Sequence, residues 1–256
     1  MIDRGRLYHG PGTPLDARVA LGGYALAVAC FFSIGLLVGS GPAPAALAQI
    51  VGLALVPVLL VRLHGGNRAD LGLVAPPLLG MLGALVAGAG AWLVALRLAL
   101  PVVRATEAEP AMRELSRELL AGHVAVVLLV RALVPAVCEE LLHRGLLLGA
   151  LAPRLGRAVA IVLSTALFAL LHLEPARMVS AGLVGLIAAL MATWSRSIGP
   201  AITVHAVNNA VALAIGLGLF PGISAAIGRH PDPAVAVAAG LVGIGLLLAW
   251  IGRQRS

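Results

Sequence analysis

Lysine does not occur in this chain of 256 residues: all 18 basic residues are arginine, set against 11 acids. Charge of either sign is scarce at 11% of the sequence, while apolar residues make up 60% and mean hydropathy reaches +1.02. That scarcity excludes an ordinary water-soluble domain and points to a polytopic membrane protein. Cysteine is limited to Cys30 and Cys138. With no Cys-x-x-Cys spacing, neither a redox pair nor a thiolate metal site is expected, and both thiols read as buried apolar side chains. A net charge of +7 on a soluble protein would suggest nucleic acid. In a chain this apolar the arginines instead mark a membrane face, and no nucleic-acid partner is expected.

What the chain has in abundance is apolar runs. At roughly 20 residues per spanning helix, they predict an all-α fold of about eight transmembrane helices, at 19–38, 45–61, 76–103, 119–151, 156–173, 178–194, 198–219 and 233–251. Residues 1–18 and 252–256 read as cytoplasmic tails flanking a single transmembrane domain, 19–251, whose motif-bearing core is 119–219. Ala43-Pro44-Ala45 faintly resembles a signal-peptidase site, but the preceding run is too long for a signal-peptide core and reads as an uncleaved span. Residues 62–74 read as a polar turn, and 104–118 as a solvated amphipathic segment. With both termini inside, ten arginines fall on the cytoplasmic side (Arg4, Arg6, Arg18, Arg62, Arg68, Arg154, Arg157, Arg196, Arg253, Arg255) and five opposite (Arg104, Arg113, Arg117, Arg177, Arg229). That is the asymmetry of the positive-inside rule. Arg97, Arg131 and Arg144 stay within or at the ends of spans, Arg97 where it can snorkel. Arginine without lysine, with abundant Ala, Gly and Leu, suggests a GC-rich bacterial genome, hence an inner-membrane protein embedded in the lipid bilayer.

Only Glu139 and Glu140, of all the acids, fall within an expected span. Ionised carboxylates in hydrocarbon cost several kcal/mol and are functional-site candidates by default. On a helix Glu140 and Arg144 are i,i+4 neighbours, as are Glu139 and His143. The two glutamates point about 100° apart, so one can be locked by the arginine while the other faces a cavity. Further histidines in the spans are His123, His172 and His205. His205 and Asn209 project together one helical turn apart, whereas Asn208 is expected to point elsewhere and serve helix packing. So many polar groups on three helices suggest a water-filled intramembrane cavity. A carboxylate there can take a proton from water with help from an imidazole, and a second histidine and an amide can donate to an oxyanion, an inventory for amide hydrolysis. Glu139, His172 and His205 are also the set a zinc ion would use. The cofactor therefore stays open between none and a divalent metal such as zinc, the metal-free version being favoured because no two of these ligands share a helix.

Three motifs in order, Glu139-Glu140-Leu-Leu-His-Arg144, Phe168-Ala-Leu-Leu-His172 and His205-Ala-Val-Asn-Asn209, resemble those of the CPBP family, the CAAX-protease and bacteriocin-processing group that includes type II CAAX prenyl endopeptidases. The resemblance covers about residues 120–215, and Arg68-Ala-Asp-Leu-Gly-Leu73 is similar to an early loop of that family. It implies an intramembrane endopeptidase acting on a membrane-associated protein or peptide. By position, Glu139 would be the general base aided by His172, Glu140 and Arg144 the supporting pair, His205 and Asn209 the oxyanion site, and Phe168 a packing residue of the pocket. Two competing readings are a proton-coupled transporter, which would predict repeat symmetry that is not evident, and a non-catalytic membrane scaffold. His-Glu-x-x-His, Gly-x-Ser-Gly and any Asp within a span are all absent, which disfavours zincin, rhomboid and aspartyl chemistry.

Overall fold

The structure is a computed structural model that describes residues 7–8, 15–39, 41–106, 117 and 123–253. The expected amphipathic segment at 104–118 lies almost wholly outside these residues. Among the described residues all regular structure is helical. The helices are α1 (Ala17–Val38), α2 (Pro42–Leu63), α3 (Leu78–Ala105), α4 (residues 124–155), α5 (Arg157–Leu170), α6 (Pro175–Ser195), α7 (Gly199–Gly216), α8 (Pro221–Arg229) and α9 (Pro231–Gly252). Each expected hydrophobic segment carries a helix, and α8 is an addition, bent 89° away from α7. Five of them, α1, α2, α3, α6 and α9, are individually long and apolar enough to cross a bilayer, or six segments if α7 and α8 form one broken span. The fifth expected span is shorter than the sequence implied: α5 has 14 residues, about 21 Å at 1.5 Å per residue.

Proline explains two irregularities of winding. Pro57 and Pro135 each follow a π-helical stretch, Gln49–Leu55 in α2 and Leu129–Leu133 in α4. A proline ring clashes with the carbonyl four residues earlier and has no N–H to offer it, so the preceding turn widens. The third wide stretch, Leu141–Leu148, follows the glutamate pair without any proline, and π-helical turns of that kind gather at functional sites.

The helices divide into an inner and an outer set. Half of the apolar window of α3 and 56% of that of α6 are buried inside the protein, against 11% for α1 and 17% for α9. Leu36 and Leu37 of α1 stand 86% and 85% exposed, a face suited to lipid and not to water. On the inside, α9 closes on α3 along a seam of small residues in which Gly83 and Gly90 approach the backbone of Gly245 and Ala238, the close approach by which membrane helices gain packing. Around α4 the core is large and aliphatic, with Leu142, Leu146, Leu147, Leu148 and Leu151 almost completely buried.

The polar turn after α2 is more ordered than its composition suggests. Asn67 caps the short turn Arg68–Leu71 reciprocally, accepting from the Ala69 N–H at 2.8 Å while Asp70 accepts from the Asn67 N–H at 2.9 Å. Gly72 follows with φ +70°, a left-handed conformation that glycine adopts freely. The Gly72 carbonyl then accepts from the Ile198 N–H at 3.0 Å, and the Val74 carbonyl from the Ser197 hydroxyl at 2.8 Å, tying this turn to the start of α7.

Part of the N-terminal segment is not a solvated tail. Leu7 and Tyr8 are buried, and the Tyr8 hydroxyl donates to the Arg144 carbonyl at 2.9 Å. Its ring lies where a side chain at Gly72 would collide with it and one at Gly149 would crowd it at 3.2 Å. An aromatic side chain with two glycines to receive it outweighs the polar character of its neighbours in sequence. Burial pushes the Tyr8 phenol up from its ordinary pKa, so it remains a donor through the neutral range.

Candidate active site

Consecutive positions on α4 give Glu139 and Glu140 different surroundings. Glu140 is completely buried and its Oε1 accepts two hydrogen bonds, from Arg144 Nη1 at 3.1 Å and from His205 Nδ1 at 2.9 Å. Arg144 is equally buried. Its Nη2 donates to the Gly185 carbonyl of α6, and its guanidinium stacks 4.5 Å from the centroid of the Phe168 ring. Such a pair, crossing three helices, is the arrangement by which a buried charge is tolerated. Gly185 makes it sterically feasible: a Cβ there would sit 2.8 Å from Phe168 Cδ1 and 3.0 Å from Arg144 Nη2.

Glu139 has no such partner. Its Oε2 is buried without a hydrogen bond, and its side chain lines a cavity of about 760 Å³ together with Gln49, Arg131, His172 and Arg177. A second cavity, of about 470 Å³, is walled by His172, His205, Asn208, Asn209, Phe168 and Arg177, with Trp92, Leu96 and Val184 as apolar lining. His172 and Arg177 belong to both walls, so the two spaces meet at His172.

The histidines are gathered by one aromatic ring. Phe168 lies with its centroid 5.1 Å from that of His143, 5.3 Å from His172 and 5.5 Å from His205. His172 stands beyond the last residue of α5, in a corner where Leu173 adopts φ +58° and Glu174 caps α6. Its Nδ1 is 3.1 Å from the Phe168 carbonyl, so that nitrogen carries the proton and Nε2 presents a lone pair. His205, with Nδ1–H given to Glu140, likewise presents Nε2: an acceptor when the ring is neutral, a donor when it is protonated. Asn209 accepts from Asn208 Nδ2 at 3.0 Å through its Oδ1, which leaves its own amide N–H groups to face the cavity.

Several expectations change. His143 bonds the backbone carbonyl of Glu139 at 2.8 Å, not its carboxylate, because both lie on one helix and the ring folds back along the axis. His123 is not inside a span but caps the start of α4, accepting from the Ala125 N–H at 3.3 Å. Asn208 does not point elsewhere; it lines the same cavity as Asn209 and orients it. Arg97 leans toward Asp232 at 3.8 Å, both well exposed. As for zinc, no group of three or more His, Cys, Asp or Glu among the described residues is placed to hold a metal ion. Glu139, His172 and His205 therefore do not form such a group.

Gln49, Arg177, Gly185 and Tyr8 join the site without having been singled out for it. Gln49 had a signal, as the sole amide in an otherwise apolar run at 45–61. Gly185 had none, being one glycine among 31.

Residues 121–211 match the family model described as Type II CAAX prenyl endopeptidase Rce1-like, and all three motifs fall inside that range. No curated protein and no solved structure matches the chain.

Proposed function

Because residues 121–211 match the Rce1-like type II CAAX prenyl endopeptidase model, we propose that this chain hydrolyses a peptide bond of a membrane-associated protein or peptide with water activated by Glu139. The observation that carries the reading is the division of labour in the glutamate pair: Glu140 is completely buried and held through Oε1 by Arg144 and His205, while Glu139 has neither partner and lies on a cavity wall shared with His172. In the proposed reaction Glu139 takes a proton from water held between it and His172 Nε2, and the oxygen attacks the carbonyl carbon. The Asn209 amide donates to the developing oxyanion, with His205 Nε2 beside it as a second donor when that nitrogen carries a proton. As the C–N bond breaks, the proton passes from Glu139 to the leaving amine, giving a carboxylic acid and an amine, and the acid's proton then passes to the amine to leave a carboxylate and an ammonium group. Every step uses side chains of this protein.

The arginine asymmetry supports a cytoplasmic-membrane orientation with both termini inside, and the lysine-free composition supports a bacterial source. The test is cleavage of quenched-fluorescent peptides by detergent-purified protein, with metal content measured on the same sample. Wild type is expected to cleave and to keep cleaving after chelation. Glu139→Gln is expected to lose activity by at least about 100-fold, the scale of a general base, at an unchanged unfolding temperature. Equal activity of the two proteins would sink the assignment.

A further inference from the structure

One cation at the site has no part in the hydrolysis just described. Arg177 is the third residue of α6, at the end where the helix dipole is positive and a guanidinium is opposed by the backbone. The neighbouring acid does not compensate it. Both oxygens of Glu174 are taken by backbone N–H groups, Oε1 by Ala176 at 2.9 Å and Oε2 by Arg177 itself at 2.8 Å. Among the described residues the Arg177 guanidinium has neither an ion-pair nor a hydrogen-bond partner. Yet Arg177 is half-buried and lines both cavities beside His172.

A cation in that position, next to the apolar walls of Trp92, Leu96 and Val184, attracts an anion more strongly than it would in water. The anion that a peptide brings is a carboxylate, which the planar guanidinium fork matches with two parallel hydrogen bonds. We propose that Arg177 forms a subsite for a substrate carboxylate, so that the protein selects peptides with an acidic group near the bond presented to Glu139. The carboxylate is either the free C-terminus or an Asp or Glu side chain. The inference rests on the endopeptidase reading, and it adds a determinant of selection to it.

Binding can be measured without turnover on the full-length Glu139→Gln protein in lipid nanodiscs. The probes are one fluorescent apolar peptide in three forms: free acid, C-terminal amide, and amide with an internal Asp. The free acid, the Asp-bearing amide, or both, are expected to bind about tenfold or more tighter than the plain amide, as a charged hydrogen-bonded pair gives. Which of the two does so identifies the source. Adding Arg177→Gln is expected to bring the ratio to about one, and Arg177→Lys to keep part of the preference. Each ratio comes from a single preparation, so the folded fraction cancels. Equal binding of all forms, no binding of any, or a preference that survives Arg177→Gln overturns the proposal. The endopeptidase reading is judged separately: wild type that cleaves all three forms alike loses only the carboxylate subsite, whereas cleavage by Glu139→Gln defeats the hydrolytic assignment.

Discussion

Two adjacent glutamates of the same chemistry carry different expectations because of what surrounds them. Glu140 has a cation, an imidazole and no exposure, whereas Glu139 has neither partner and lines a cavity. Their separation around the helix axis was legible from adjacency alone, and so was the Glu140–Arg144 partnership, since i,i+4 spacing brings the two side chains together. The bond from His205 to Glu140 was not legible, because 65 residues separate them and only the docking of α7 on α4 decides it. Removing one partner of this buried pair strands the other. Arg144→Ala is expected to destabilise the fold by on the order of 3–5 kcal/mol, read as a large fall in folded yield and unfolding temperature in detergent.

Helices decide where those side chains stand. Phe168 and His172 are brought to the site by the early end of α5, whose 14 residues leave His172 in a corner. The motif spacing showed that the two belong together but not that the helix stops between them. Gly185 is the counterpart on α6: its missing side chain admits both the Phe168 ring and the Arg144 guanidinium. Gly185→Ala is therefore expected to displace Phe168 and cost about 1–3 kcal/mol as overpacking does, with activity falling more than stability because three histidines pack on that ring. Thermal unfolding and peptide cleavage on one preparation give the comparison. Tyr8 acts on α4 from the other side. Tyr8→Phe keeps the ring between Gly72 and Gly149 but loses the bond to the Arg144 carbonyl, an expected loss of about 1 kcal/mol seen as a modest fall in unfolding temperature.

Across the whole molecule, the polar constellation is held by an inner group of helices and screened by outer ones whose apolar faces suit lipid. The α3–α9 seam belongs to this scale. A Cβ at Gly245 would meet the Gly83 carbonyl and come within 2.7 Å of the Ala87 nitrogen. Gly245→Leu is expected to force α9 from α3 and to lower the unfolding temperature by at least as much as Gly185→Ala, since backbone atoms and not a side-chain tip must yield. Circular dichroism melts of the purified protein in detergent test it, and an unchanged melt would mean that α9 does not pack as described.

The amino-acid sequence by itself determined that the protein is a helical bundle in a membrane, because hydrophobic run length and charge scarcity are local properties that a bilayer constrains directly. It also singled out Glu139, Glu140, Arg144, Phe168, His172, His205 and Asn209, since polar groups are conspicuous against an apolar background. Tertiary structure alone decided which glutamate lines a cavity, that Asn208 turns inward beside Asn209, that Tyr8 leaves the tail to bond α4, and that Arg177 faces the cavities. Each of these depends on contacts between helices distant in sequence, where a single glycine or a corner of a few residues sets the geometry, and no local pattern encodes that.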